Sequence, residues 1–161
     1  MPEKKTIARA KKAKKEGKSP STQAGEFVHE EIEHVREGKH GAKSAKQAIA
    51  IGLSKARRAG VKVGAAKKAS ASTKRKAAQD SEKANSDKEP SPTRSRATKK
   101  ALKKEGSRSV SKKALSTQAK KAATKRSASD RSAAAKKAAR TKGPAERSKA
   151  AKKAAATRSR S

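Results

Sequence analysis

The sequence predicts a mostly α-helical protein with extensive disorder: a short helical hairpin in the N-terminal third, followed by a long, basic, low-complexity tail. Three observations carry this expectation. Large apolar side chains gather between Ser19 and Gly60 at helical spacing, and most of the remaining chain is Lys, Ala, Ser and Arg. The 47 Lys and Arg stand against 14 Asp and Glu, a net charge of +33 on 161 residues, with a mean hydropathy of -1.14. A chain so charged and so poor in apolar side chains is expected to bury little surface and to remain largely unfolded when free.

Residues 1–18 form a basic N-terminal arm. Glu3 to Glu16 reads as a weak Lys- and Ala-rich helix ended by Gly17, with Ile7 as its only large aliphatic. It is expected to be a solvated arm, with a docked third helix as the alternative.

Residues 19–64 form the hairpin. Ser19 is placed to cap the first helix, and Pro20 occupies the first helical position, where its missing N–H costs nothing. The helix runs to Glu37 and stops at Gly38. Ala24, Val28, Ile32 and Val35 fall on one side of the helix, flanked by Phe27, as a narrow apolar seam. Glu26, Glu30, Glu33 and Glu37 share the opposite face, expected to be an ordinary solvated face, with docking of the chain's own basic tail as the alternative. The second helix opens at Ser44 with Gln47 three residues on, a capping box. Its seam is Ala45, Ala48, Ile49, Gly52, Leu53 and Ala56, and Gly60 supplies its stop. The short loop from Gly38 to Lys43 makes the pair antiparallel. So small a core is marginal alone, which makes a homodimer through the hairpin, or a bound partner, an expectation.

Residues 65–161 form the tail, expected to be disordered. It carries 31 Lys and Arg against 7 acids, whereas residues 1–64 carry 16 against 7. Between Gln79 and Pro92 the acids Asp80, Glu82, Asp87 and Glu89 cluster with Ser and Pro and read as a flexible spacer. Leu102, Val110 and Leu115 are the large aliphatics beyond it, too few for a core. From residue 119 onward AKKAA recurs every 16 residues, at Ala119, Ala135 and Ala151, and Asp130-Arg131-Ser132 returns as Glu146-Arg147-Ser148. These units favour helix, with a break at Gly143-Pro144.

The run GKHGAKSAKQAIAIGLSKARRAGVK, Gly38 to Lys62, with SPSTQAGEFVHEEIEHVREG before it, resembles the core of a bacterial family of small basic proteins of unknown function. The likeness covers about the first 64 residues. It implies a bacterial, cytosolic setting, in a family with members sometimes described as DNA-binding, and it supplies no catalytic residues. The remainder resembles the tails of linker histones and bacterial histone-like proteins, although proline is scarcer here.

Chemistry by named catalytic groups is not expected. The absence of cysteine removes disulfides, thiolate zinc sites and thiol catalysis. His29 and His34 bracket H-E-E-I-E-H at i, i+5, whereas the zinc-protease motif needs i, i+4. Gly38 to Ser44 lacks the G-K-[ST] of a P-loop and follows a helix. No catalytic, cofactor or metal residue is therefore assigned. A milder site remains, in which Gly41 and the free N–H groups opening the second helix hold a backbone phosphate beside Lys39, Lys43 and His40. No apolar run approaches the roughly 20 residues of a membrane span, and no signal segment is evident.

Charge of this sign and size calls for a polyanion. One aromatic residue leaves little for base stacking, so the expected mode is phosphate neutralisation, largely indifferent to sequence. The residues expected to carry it are Lys39, Lys43, Lys46, Arg57, Arg58, Lys120, Lys121, Lys136, Lys137, Arg140, Lys152 and Lys153. The function expected is that of a histone-like, nucleoid-associated cytoplasmic protein that coats, bridges or compacts DNA. An RNA-binding or ribosome-associated role, and a protein adaptor acting through the hairpin, are the alternatives.

Overall fold

The computed structural model describes residues 2–66, 68–86 and 91–159. It corrects the expectation of extensive disorder, for the fold is 76% helical. Among the described residues the α-helices are α1 (Lys4–Lys15), α2 (Pro20–Arg36), α3 (Ala45–Arg58), α4 (Ala71–Glu82), α5 (Pro92–Lys103), α6 (Lys112–Thr124) and α7 (Ala128–Arg158). Single 3-10 turns occupy Lys83–Asn85 and Arg108–Val110. The chain divides into two compact units, residues 1–118 and 119–161, and the division falls within α6.

The hairpin is α2 packed on α3. Ser19 Oγ accepts the Thr22 N–H at 3.4 Å, Pro20 opens α2, and Gly38 ends its last turn in the left-handed region at φ 73°. At the start of α3, Ser44 Oγ accepts from Gln47 N at 3.2 Å. The Gln47 side chain reaches back one residue further than a simple capping box, accepting from Lys43 N at 2.7 Å. Gly52 marks the closest approach: a Cβ there would lie 2.6 Å from Val28 Cα, so only hydrogen lets the two backbones meet.

Two apolar clusters hold the first unit. The first joins Ala10, Ala24, Phe27, Ala56 and Val61, with Ile7, Leu53 and Val63 at its edge. Phe27 is its anchor, 1% exposed. Because Ala10 belongs to this cluster and Thr6 and Ala13 are also buried, α1 is a docked third helix and not a solvated arm. Small side chains on its inner face let it lie close to α2, a contact that counting large aliphatics overlooks. The second cluster joins Val35, Ala42, Ala48 and Val110, with Ile32 beside it.

Val110 is the reason that the region after Gly64 is not free. It is fully buried against the hairpin, and its carbonyl accepts from Arg36 Nε and Nη2, each at 3.4 Å. Leu102 O accepts from Gly41 N at 2.9 Å and Gly106 O from Ala42 N at 3.3 Å. Gly41 has to be glycine for this, since a Cβ would overlap the Glu105 carbonyl. A single aliphatic suffices because the hairpin already holds the other half of the cluster.

The acidic spacer also needs correcting at its first residue. Asp80, on α4, is 2% exposed and accepts from Ser54 Oγ at 2.7 Å and from Arg58 Nε and Nη2 at 3.1 and 2.9 Å. It ties α4 to α3. Burial by itself pushes the Asp80 carboxyl up, but the hydrogen bonds from Ser54 and Arg58, with the charges of Arg58 and Lys76, outweigh it and leave the group below its ordinary range. Asp87 and Glu89 lie outside the described residues.

Candidate nucleic-acid interface

The helices after Lys112 need no core of their own. Alanine, lysine and arginine have the highest intrinsic helix propensities, and each like-charged i, i+4 pair costs only about 0.2 to 0.5 kcal/mol. What such a helix needs is a defined start, and the 16-residue repeat supplies one. Ser111 Oγ accepts from Ala114 N at 3.2 Å, and Ser127 Oγ accepts from Asp130 N at 3.1 Å. Sixteen residues further, Gly143 breaks α7 at φ 66° and Pro144 restarts it. Sixteen more reach Ser159, the C-cap of α7. Each repeat is thus one helical segment between two boundaries. AKKAA betrays the period in the sequence, but its register is set by residues 111, 127, 143 and 159.

This register puts a lysine pair at the same depth in every segment: Lys120-Lys121, Lys136-Lys137 and Lys152-Lys153. All six, together with Arg140, are exposed and make no ion pair among the described residues. Lys136, Lys137 and Arg140 fall within about 100° of arc, as do Lys149, Lys152 and Lys153 after the break. Residues 119–161 hold 15 Lys and Arg against two acids.

The five expected phosphate contacts on the hairpin are placed differently. Lys43 and Lys46 are exposed and unpaired among the described residues. Lys39 sits 2.9 Å from Glu37 and 3.4 Å from Glu3. The bond from Glu37, foremost, raises its ammonium above the usual range. Arg58 is held by Asp80. Arg57 is only 8% exposed, its Nε donating to Val63 O at 2.8 Å and its Nη2 to Gly64 O at 3.5 Å, so it closes the end of α3 on the following strand of chain. At the loop, the Gly41 N–H expected to hold a phosphate donates to Leu102 O, and the neighbouring N–H groups of Ala42 and Lys43 donate to Gly106 O and Gln47 Oε1.

Of the glutamate stripe of α2, Glu30 is buried while Glu26, Glu33 and Glu37 keep partly exposed side chains. Glu30 is 6% exposed, accepts from Glu3 N at 3.1 Å and lies 3.6 Å from Lys55 Nζ. Glu26 faces Arg9 of α1 at 3.9 Å, Glu33 pairs with Arg36 at 3.0 Å and Glu37 with Lys39. Among the described residues, the cations beside these glutamates come from the N-terminal arm and the hairpin. Glu31, also buried, escapes a reading that counts only apolar residues, yet its helical angle lies between Phe27 and the Ala24–Val35 seam.

No protein-family model matches this chain, and no curated protein or solved structure does so either. Among the described residues, no helix is long and apolar enough to cross a membrane.

Proposed function

We propose that this chain binds nucleic acid, duplex DNA foremost, through the lysine pairs of its helical repeats, and that it coats or compacts DNA in a bacterial nucleoid. The observation that carries this reading is the periodic display of the exposed lysine pairs in residues 119–161, which have no acid partner among the described residues, in a stretch where cations outnumber acids 15 to two. Three helical segments with the same cationic position suit a repeating ladder of phosphates. The lysine pairs themselves do not suit base readout. The single aromatic, Phe27, is buried in the hairpin and cannot stack on a base. Lysine acts as a point charge, lacking the rigid bidentate fork with which arginine reads guanine. Affinity then derives from counterion release.

Equilibrium binding to a short duplex over a range of salt tests this. Each neutralised phosphate contributes about -0.9 to the slope of log K against log salt, so replacing the six paired lysines with Ala removes up to about 5 from its magnitude. Replacing six lysines of α1 instead, at Lys4, Lys5, Lys11, Lys12, Lys14 and Lys15, is the charge-matched control and changes the slope less. Equal effects from both sets would overturn the placement on the repeats. A slope shallower than about -3, or a strong preference among scrambled duplexes, would overturn the phosphate mechanism. Tighter binding to structured RNA at matched salt would move the ligand from DNA to RNA.

A further inference from the structure

We infer that Glu31, His34 and His40 form a binding site for one divalent transition-metal ion of the zinc class. Glu31 and His34 are three residues apart on α2 and share a face. Gly38 then turns the chain in the left-handed region at φ 73°, and His40 comes back beside them from the loop. The ligand atoms of the three side chains all lie within 4.8 Å of one another, with Glu31 buried and both histidines half-buried. The imidazoles of His34 and His40 meet edge to face, 6.2 Å between centroids. His29, the other histidine of H-E-E-I-E-H, is exposed and takes no part.

The loop orients His40 toward Glu31. Its Nδ1 is 3.0 Å from the Gly41 carbonyl, which can only accept, so Nδ1 carries the hydrogen. Nε2 is then turned toward Glu31 Oε1, 3.4 Å away. A tetrahedral zinc ion with bonds of about 2.0 to 2.2 Å has ligand-to-ligand edges of about 3.4 Å, the separation found here. The Gly41 carbonyl meanwhile holds the imidazole in the orientation a ligand requires.

Glu31 itself calls for compensation. It is fully buried, and although Lys55 Nζ lies 2.7 Å from Oε2, neither carboxylate oxygen has a hydrogen bond among the described residues. A buried carboxylate is tolerated when ions compensate it. Lys55 answers one oxygen; the metal would answer the other. Glu3 Oε1, 2.9 Å from His34 Nε2, brings a further carboxylate to the rim. Glu3, Glu30 and Glu31 outnumber the neighbouring Lys39 and Lys55, so the immediate surroundings favour a cation despite the chain's overall charge. Two imidazole nitrogens and one carboxylate select zinc, cobalt or nickel over magnesium and calcium, which prefer oxygen.

Nucleic acid has no part in the test. The full chain, free of any histidine tag and stripped with a chelator, is titrated with ZnCl2 by calorimetry and with CoCl2 by visible absorption. One ion per chain is expected, with cobalt absorbing more strongly than the aqua ion, and excess MgCl2 does not displace it. H40Q and H34Q each weaken zinc binding at least tenfold, whereas H29Q leaves it unchanged. Zinc raises the melting temperature of the unaltered chain but not that of H40Q. Circular dichroism checks that both variants keep their helices, and they are partly exposed positions where the fold tolerates change better than at Glu31. No zinc uptake by the unaltered chain, affinity retained in H40Q and H34Q, or an equal loss in H29Q would each overturn the site.

Discussion

Val110→Ala tests whether the region beyond Gly64 is held to the hairpin. Val110 is fully buried against Val35, Ala42 and Ala48, and the substitution removes two carbons from that contact. At about 0.8 kcal/mol per buried carbon the transfer loss is roughly 1.6 kcal/mol, and incomplete collapse of the small void brings it to about 2. The loss should appear as local opening of the docked segment. The amides that report it are Gly41 and Ala42, whose N–H groups donate to Leu102 O and Gly106 O across the contact. With 1.4 kcal/mol per tenfold, their hydrogen exchange accelerates about 30-fold. Amides at the centre of α2 and α3, held by the Phe27 cluster, should change much less. Exchange measured residue by residue by NMR decides it. Unchanged rates at Gly41 and Ala42, or equal acceleration through α2 and α3, would refute the docking of this segment through Val110.

Gly52→Ala adds a Cβ 2.6 Å from Val28 Cα, and separating the helices costs about 1 to 3 kcal/mol, more than the roughly 1 kcal/mol that alanine gains in helix propensity. A lower melting temperature in circular dichroism is expected, and a higher one would mean that α2 and α3 do not touch there. The Asp80 carboxyl titrates below its ordinary range in the fold, so it contributes stability that is complete above the unfolded value, about 3.9, and is lost as pH falls through the native one. Asp80→Asn leaves Arg58 without its charge partner, lowers stability at neutral pH by about 2 kcal/mol, and flattens the acid limb of a denaturation-versus-pH curve. An acid limb of unchanged steepness would exclude Asp80 as its source.

The hairpin was legible because its signals are local. Ser19-Pro20, Gly38, Ser44 with Gln47, and Gly60 each act within one turn of chain, and the apolar seams follow the helical period. The expected disorder failed for two separate physical reasons. Composition weighs burial, and α6 and α7 form with almost none, through alanine-rich propensity and caps spaced by 16 residues. Composition also treats aliphatics as a sum, whereas Val110 completes a cluster that three hairpin residues have already begun. The inward turn of Glu30, Glu31, Arg57 and Asp80 was illegible for a third reason. Charged residues look alike in sequence whether they face water or a partner, and the partners Lys55, Val63 and Ser54 become neighbours only after the helices pack.

On the proposed phosphate mechanism, the placement of the acids matters as much as the number of cations. Every acid of residues 1–64 has a cation within reach: Glu3 and Glu37 share Lys39, Glu16 has Lys18, Glu26 has Arg9, Glu30 and Glu31 share Lys55, and Glu33 has Arg36. A phosphate approaching Lys39, Lys55 or Arg58 has to displace a carboxylate already in place. Exchange of one anion for another brings little net gain. Lys120, Lys136 and Lys152 have no acid partner among the described residues, and on the proposed mechanism a phosphate there would release counterions outright. Arg36, Lys39, Lys55 and Arg58 are thus matched by nearby acids, whereas Lys43, Lys46 and the lysine pairs of the repeats have no acid partner among the described residues. This division follows from where seven glutamates sit, and it would survive any reshuffling of the lysines in the repeats that preserved their exposure.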